Sequence, residues 1–529
     1  MAEPATTQRG SEGSKSLQRA ARGSVLNVAG AAVAAVTGLG LTVAVARFAS
    51  PSEAGVFFLA TSLFLLLTSL GQLGTGTGLV YFLSGARARN ELSTAQAYMR
   101  IAARPVLVVA IAMSVVMFVA AEPLAQLLSS EAEVEFARYM RVMAFFLPWV
   151  AAMNLSLSAT RGLGTMKPYA LLDQMVRPTA QLVAVAVAFV ASGADHLALA
   201  WSVPFLPLGL LSWRWWQRLR DRSAAEENSR PEVSSSEFWR FTAPRAFAGV
   251  TQMAMQRLDI LLVGAIVGLA EAAVYTAATR FLVLGQSAAR AVSMSVQPLL
   301  GEALARRDRS DARALFQSTT GWLVLATWPI YFVLITNGST ILSIFGEGFE
   351  DGRNALLILS VAMLVGSGCG MVDIVLTMAG RSMWNLMNVL VAFAVNLGVD
   401  LILIPRIGLM GAAIGWAAGI LVANLVPLTQ VGLSLRLHPF GRGTLIAMAL
   451  SATAFAVVPQ FLAVAAWSPL TKMLAGLAIS MSIYSLGVYR FRHVLEIPVL
   501  MAAARRRGPA SSGLAEDSPV AVSDTRDLG

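Results

Sequence analysis

Long apolar segments recur along the chain and are separated by short polar stretches. A transmembrane helix needs roughly 20 apolar residues to cross about 30 Å of hydrocarbon, and most of the segments are about that long. The first, residues 25–46, exceeds the apolar core of a signal peptide, which is roughly 7 to 15 residues long. The pattern therefore predicts an all-α integral membrane protein with about fourteen transmembrane helices.

A polar, serine-rich stretch divides the predicted helices into two groups of six, and a further helix pair follows them. This division predicts two six-helix lobes joined by a linker on the cytoplasmic side. In order, the predicted parts are a cytoplasmic tail (1–22), an N-terminal lobe (23–216), a cytoplasmic linker (217–241), a C-terminal lobe (242–434), an additional helix pair (435–490) and a cytoplasmic tail that is basic and then disordered (491–529).

The two groups of six helices resemble each other in sequence. The segment that starts at Pro51 aligns with the segment that starts at Leu269 at a shift of 218 residues, and Trp201 aligns with Trp416 at a similar shift. Six helices followed by six in the same orientation indicate repeats related by a pseudo-two-fold axis along the membrane normal. We therefore expect a cavity between two lobes.

The charge distribution favours a membrane protein over a nucleic-acid-binding protein. The chain is 56% hydrophobic and 13% charged, and its net charge of +10 comes largely from basic residues in the loops. Such an excess in cytoplasmic loops is the positive-inside rule. The rule predicts a multi-pass protein of the plasma (inner) membrane with both termini in the cytoplasm.

The sequence offers no support for zinc, disulfide or nucleotide chemistry. Cys369 is the only cysteine, so an internal disulfide is excluded, and with three histidines a cysteine/histidine zinc site cannot be assembled. No phosphate-binding loop motif is present. We expect no cofactor, no metal, no direct use of ATP and no enzymatic activity.

Three stretches of the sequence carry a recognisable pattern. They read ARFASPSEAGVFF from Ala46, RLDILLVG from Arg257 with EAAVYTAATR from Glu271, and NLGVDLILIPRIGLMGAAI from Asn396. These stretches resemble the polysaccharide-export (O-antigen flippase-like) branch of the multidrug/oligosaccharidyl-lipid/polysaccharide exporter superfamily. The resemblance implies two six-helix lobes, a central cavity and movement of lipid-linked sugars across the membrane.

Charged residues inside the predicted helices are the candidate site residues, because a charge at the bilayer centre costs ~2.5 to 3.5 kcal/mol on insertion scales. Arg257 lies ~17 Å from either end of its predicted helix, and its planar guanidinium suits a pyrophosphate. A structural ion pair with Asp259 or Asp373 is the alternative. Arg280 is the second candidate cation of the cavity. Asp259 and Asp373 are also assigned to the cavity, Asp373 as a candidate proton or cation site.

A run of glycines lies within one apolar segment and consists of Gly71, Gly74, Gly76 and Gly78. No Lys-Ser or Lys-Thr follows it, so it does not resemble a phosphate loop. Closely spaced glycines favour a bend or the close approach of another helix. We therefore predict that these glycines serve in gating.

These observations favour a flippase or exporter that moves a polyprenyl-pyrophosphate-linked oligosaccharide for polysaccharide biosynthesis by alternating access. Its predicted partners are this substrate, membrane lipid and polysaccharide-synthesis enzymes, and no nucleic acid. A cation-coupled multidrug exporter is the first alternative, and it would place acidic residues in its cavity. A membrane glycosyltransferase or polysaccharide polymerase is the second alternative, and it would require a large outside loop with catalytic groups.

Overall fold

In a computed structural model of the protein, every regular element of the described residues is a helix. The structure describes residues 29–89, 91, 94–129, 131–224, 233–306, 308–463 and 465–498. The predicted tail 1–22, most of the predicted tail 491–529 and residues 225–232 of the predicted linker lie outside these residues.

Ten α-helices precede the linker in the described part of the chain, and eleven follow it. The first ten are α1 Ala29–Phe48, α2 Pro51–Gly71, α3 Thr75–Ala88, α4 Thr94–Val119, α5 Ala121–Leu128, α6 Glu133–Ala144, α7 Leu147–Gly162, α8 Arg177–Ser192, α9 Leu197–Ser202 and α10 Phe205–Ala224. A π-helix, Tyr169–Val176, leads into α8, and a 3-10 turn, Gly193–His196, follows it.

The later helices include the longest ones. They are α11 Ser235–Ile266, α12 Leu269–Arg280, α13 Leu282–Ala305, α14 Arg309–Leu342, α15 Arg353–Gly368, α16 Val372–Met378, α17 Ser382–Ile407, α18 Leu409–Leu435, α19 Arg442–Ala452, α20 Val458–Ala463 and α21 Pro469–Arg490. Two 3-10 turns, Ser343–Phe345 and Phe349–Gly352, join α14 to α15, and a π-helix, Thr453–Val457, joins α19 to α20.

Eleven helical segments of the described residues are long and apolar enough to cross a membrane, and α6 with α7, bent by 43°, makes a twelfth. Neither α11 nor the pair α12 and α13 is among them. α11 has 32 residues, which is enough for a crossing, but its charged residues, including Arg257 and Asp259, lower its hydropathy. The predicted all-α membrane fold is confirmed, whereas the count of fourteen helices stays a prediction.

A reciprocal hydrogen-bond pair determines where α2 begins. The hydroxyl of Ser50 accepts a hydrogen bond from the amide of Glu53 at 3.3 Å, and the Glu53 carboxylate accepts one from the amide of Ser50 at 2.7 Å. Pro51 occupies the first helical position, where its missing N–H costs nothing. Only two residues, Ala49 and Ser50, therefore separate α1 from α2.

The two aligned segments of the sequence pack against each other. A Cβ atom on Gly55 of α2 would lie 2.0 Å from the carbonyl oxygen of Leu269, the first residue of α12. A Cβ atom on Gly264 of α11 would lie 2.5 Å from the Leu59 side chain of α2. Only glycine permits such a close approach, so these positions hold the predicted lobes together at this end of the bundle.

The first turns of α11 belong to the core of the predicted N-terminal lobe. Phe238 is fully buried and packs against Phe82 of α3 and Tyr98 of α4, with ring centroids 5.4 and 6.2 Å apart. Phe241 stacks on Tyr81 at 4.2 Å. Later turns of α11 belong to the largest apolar cluster of the described residues through Ile260, Leu261 and Val263. α11 therefore connects that cluster to the one around Phe238.

We predict that Gly55→Ala lowers the melting temperature of the protein, because the new methyl group forces α2 away from α12. Overpacking of this kind costs roughly 1 to 3 kcal/mol. The buried Cys369 is the only thiol, so its reaction with a maleimide dye during heating reports unfolding.

Gly38→Ala is the matched control, because a Cβ atom on Gly38 would meet nothing within 4 Å. Equal melting temperatures for the two variants would show that α2 and α12 do not pack as described.

Candidate functional site

α11 carries a polar stripe along one face. Arg245, Gly249, Gln252 and Gln256 are exposed, and their spacing of three to four residues places them on the same side of the helix. Glutamine side chains in hydrocarbon would lose their hydrogen bonds. We therefore expect the stripe to face water rather than hydrocarbon, and Arg257, which is half-buried, directly follows Gln256 of the stripe.

Arg257 and Arg280 lie close enough to interact electrostatically. Arg280 is the last residue of α12, and α13 begins at Leu282, so the guanidinium is held at a break between helices. The Nε atoms of both arginines have no hydrogen-bond partner, and neither side chain forms a salt bridge with a described residue. Two neighbouring, partly buried cations are costly without a counter-ion, so they suit a ligand with more than one negative charge.

Asp259 belongs to a different site from Arg257, because residues two apart lie on different faces of a helix. Its side chain is buried, accepts a hydrogen bond from the Tyr275 hydroxyl at 2.9 Å and also interacts with the carboxyl group of Asp400. The amide of Asn396 donates to Asp400 at 2.9 Å. This cluster joins α11, α12 and α17 inside the C-terminal lobe.

The two carboxyl groups form a candidate site for a coupling ion. Asp400 is fully buried, and one oxygen of each carboxyl group has no hydrogen-bond partner. Two carboxylates in contact cannot both stay ionised in a buried site without compensation. The pair is therefore suited to sharing a proton or binding a cation. Gly415 of α18 provides the space, because a Cβ atom there would lie 1.9 Å from the Asp400 carboxylate.

Asp373 lies apart from both groups. It is exposed in the first turn of α16, after a break in the helix at residues 369–371. Gly370 adopts φ = +75° at this break, and a Cβ atom there would lie 2.3 Å from the Thr320 hydroxyl. No described hydrogen bond or ion pair joins the Asp373 carboxylate to Arg257 or Arg280. The four predicted cavity residues thus lie at three separate sites. Arg257 and Arg280 form one site, and Asp259 and Asp373 each lie at another.

The glycine run coincides with a break between α2 and α3. Gly71 ends α2, Gly74 adopts the left-handed conformation with φ = +70°, and Gly76 and Gly78 lie in α3. A Cβ atom on Gly74 would lie 2.5 Å from the amide nitrogen of Ala246 in α11. The glycines therefore permit both a bend in the helix and its close contact with α11.

Two members of the carboxyl cluster, Asp400 and Tyr275, escaped the sequence analysis. A signal was present, since Asn396 and Asp400 are polar residues four positions apart in the largely apolar part of α17. That spacing places both side chains on one face. The partner on α11 is 141 positions earlier in the chain, and only the packing of the helices reveals it.

The multi-pass helical bundle shares its fold with solved transporters of the multidrug/oligosaccharidyl-lipid/polysaccharide exporter (MOP) superfamily. A multidrug resistance MATE family transporter in an inward-facing conformation is similar to this chain, with 17% sequence identity and a TM-score of 0.65. The alignment covers 76% of this chain and 95% of that chain. The lipid II flippase MurJ in an inward closed conformation is 12% identical to this chain, with a TM-score of 0.69. The alignment covers 89% of this chain and 100% of that chain. At these identities the likeness establishes the fold alone.

A third solved structure, a MOP superfamily transporter from Pyrococcus furiosus, has 17% identity and a TM-score of 0.55, with 80% of this chain and 96% of that chain covered. Its reversed pocket polarity is described as suggesting a different function for that protein. No curated protein sequence matches the chain.

Residues 44–351 match the family described as polysaccharide biosynthesis protein. The match covers more than half of the chain, which therefore belongs to this family.

We predict that Tyr275→Phe destabilises the protein, because it leaves a buried Asp259 oxygen without its hydrogen-bond donor. The loss of a donor to a buried charged or polar group costs about 1 to 3 kcal/mol, which should appear as a lower melting temperature in the thiol-reactivity assay.

Tyr331→Phe is the control, because the Tyr331 hydroxyl is buried without a hydrogen-bond partner and its removal should be neutral or stabilising. If both variants melt with the wild type, Tyr275 does not support the carboxyl pair.

Proposed function

We propose that this protein is a flippase that moves a polyprenyl-pyrophosphate-linked oligosaccharide across the plasma membrane by alternating access, for polysaccharide biosynthesis. The pair of Arg257 and Arg280 beside the polar stripe of α11 carries the proposal. A pyrophosphate offers several negative charges, and guanidinium groups bind such oxygens through paired, charge-assisted hydrogen bonds. Membership of the polysaccharide biosynthesis family and the fold shared with the lipid II flippase MurJ support this substrate class.

The amphipathic substrate divides between two environments. Its pyrophosphate and sugar occupy the cleft, where Gln252 and Gln256 present amide groups to sugar hydroxyls, and its polyprenyl tail stays in hydrocarbon. The protein then lies in the plasma membrane with both termini in the cytoplasm. The enzymes that synthesise the lipid-linked sugar are its functional partners, and translocation itself requires no catalytic step.

The gate in this proposal is the broken helix formed by α2 and α3. It contacts the helices that follow the linker at two places, with Gly55 near its start against α12 and Gly74 at its break against α11. Opening the cleft to either side of the membrane requires one of these contacts to separate. The bend between Gly71 and Gly76 lets the halves of the helix move independently.

A multidrug exporter is the main alternative, because several of the similar structures are MATE transporters. A cleft for cationic drugs would need carboxylates on its surface. In this protein the two carboxyl groups of α11 and α17 are buried, and the exposed Asp373 lies apart from the arginines. The charge beside the polar stripe therefore favours an anionic substrate.

Asp259 and Asp400 are proposed to couple translocation to an ion gradient. Uptake of a proton or a monovalent cation neutralises their repulsion, and its release restores that repulsion. Asp259 lies two residues from Arg257 on α11. Binding of a proton or cation by the carboxyl pair therefore acts on the same helix that binds the substrate.

In vesicles containing the purified protein, we predict that Arg257→Gln and Arg280→Gln each reduce translocation of a fluorescent polyprenyl-pyrophosphate sugar by about tenfold or more. The reason is the loss of charge-assisted hydrogen bonds, each worth roughly 1.5 to 3 kcal/mol. Quenching of the outward-facing dye measures the rate.

Arg141→Gln is the control, because Arg141 forms an exposed ion pair with Glu122 away from the cleft. If the wild type moves no more lipid than empty vesicles do, but transports a cationic drug, the protein is a multidrug exporter instead.

We also predict that an imposed sodium or proton gradient accelerates translocation by the wild type, and that Asp259→Asn and Asp400→Asn remove this acceleration. Neutral amides cannot exchange a proton and bind a cation more weakly than carboxylates do. The rate is measured with and without each gradient.

Asp311→Asn, at an exposed position in the first turn of α14, should respond to the gradient as the wild type does. Unchanged gradient dependence in both carboxyl-pair variants would remove the coupling role from Asp259 and Asp400.

A further inference from the structure

A cavity away from the polar stripe of α11 opens between α1, α14 and α21. Its volume is about 780 Å³, and it lies where α1 and α14 end and α21 begins. None of its lining residues belongs to α11, α12 or α13. Helices from both predicted lobes and from the additional helix pair therefore meet around it.

Two opposite charges line this cavity without pairing with each other. Arg47 is exposed, and its one described hydrogen bond is a long one of 3.4 Å to the carbonyl oxygen of Ser343. Glu350 is exposed and has no hydrogen bond or ion pair among the described side chains. A guanidinium and a carboxylate that share a cavity but leave each other unpaired complement a ligand that carries both charges.

The remaining lining of the cavity is divided between hydroxyl groups and apolar side chains. Ser468 contributes one of the hydroxyl groups, while Phe48 and Leu470 are apolar and 71% and 56% exposed. Charged and hydroxyl groups beside exposed apolar side chains at the ends of membrane helices match the boundary between lipid headgroups and hydrocarbon. The ligand is therefore an amphiphile.

We propose that this cavity binds the headgroup of a phospholipid with a primary ammonium group, of the phosphatidylethanolamine class. The lipid phosphate lies against Arg47, whose guanidinium can donate two parallel hydrogen bonds to it. The ammonium group lies against Glu350, and the acyl chains run along Phe48 and Leu470 into the bilayer. The bound lipid thus links α1 of one lobe to α14 of the other.

The ammonium group makes the proposal selective. A primary ammonium donates up to three hydrogen bonds, whereas the trimethylammonium group of phosphatidylcholine donates none. Phosphatidylglycerol has no cation for Glu350 to bind. The cavity should therefore prefer phosphatidylethanolamine to both of these lipids.

Native mass spectrometry of the full-length purified protein, titrated with each of the three phospholipids, tests the proposal. We expect the wild type to bind phosphatidylethanolamine roughly tenfold more tightly than phosphatidylcholine, an effect of about one charge-assisted hydrogen bond. Glu350→Gln should abolish this preference, and Arg47→Gln should weaken the binding of every phospholipid. Thr340→Trp, which fills the cavity without a change of charge, should weaken binding in the same way.

Arg141→Gln and Glu122→Gln are charge-matched controls, because these residues pair with each other at an exposed site outside the cavity, and they should bind lipid as the wild type does. A preference for phosphatidylethanolamine that survives Glu350→Gln would overturn the proposal. Tighter binding of phosphatidylglycerol or of a polyprenyl phosphate would also overturn it. The measurement involves no transport, so its failure would leave the proposed flippase activity untouched.

Discussion

The cost of placing charge inside an apolar bundle is the constraint on which this structure depends. Moving an ion from water into a protein interior costs several kcal/mol even after relaxation. The protein meets this cost in two ways, and each involves one residue of α11 and one residue of another helix. Arg257 and Arg280 remain half-buried beside a polar stripe, where an anion can reach them. Asp259 and Asp400 are fully enclosed and accept hydrogen bonds from Tyr275 and Asn396, respectively, and in the proposed function they share a proton or a cation.

Helix α11 contributes one residue to the arginine pair and one residue to the carboxyl pair. Its first turns are packed into the core of the N-terminal lobe through Phe238, and its later turns carry Arg257 on one face and Asp259 on another. A substrate bound at the arginine and an ion bound at the carboxyl pair therefore act on the same rigid element. Such a shared element is the physical requirement for coupling between two sites, provided that it has two arrangements. The break at Gly74 and the close contact at Gly55 show where the neighbouring helix can change its packing.

Glycine serves a different purpose at each of its important positions in this fold. At Gly55 and Gly264 the absence of a side chain lets helices of the two lobes touch, and at Gly415 it makes room for a carboxylate. At Gly74 and Gly370 it supplies a left-handed backbone at a break between two helices. The contacts between lobes, the buried ion site and the breaks in the helices all depend on missing Cβ atoms.

By itself, the sequence determined the membrane character, the all-α class, the family and the charged residues of interest. These follow from local properties, namely apolar runs of the length of a bilayer, short motifs and charges within apolar segments. The number of crossings was not determined, because the apolar pattern predicts spans in the region of α11, α12 and α13, whereas these helices do not combine the length and hydropathy of the other spans in the structure. Only the tertiary structure separated the four predicted cavity residues into three places and revealed Asp400 and Tyr275 as partners of Asp259. The physical reason is that a single helix specifies which residues share a face, whereas the packing of distant helices decides what that face meets.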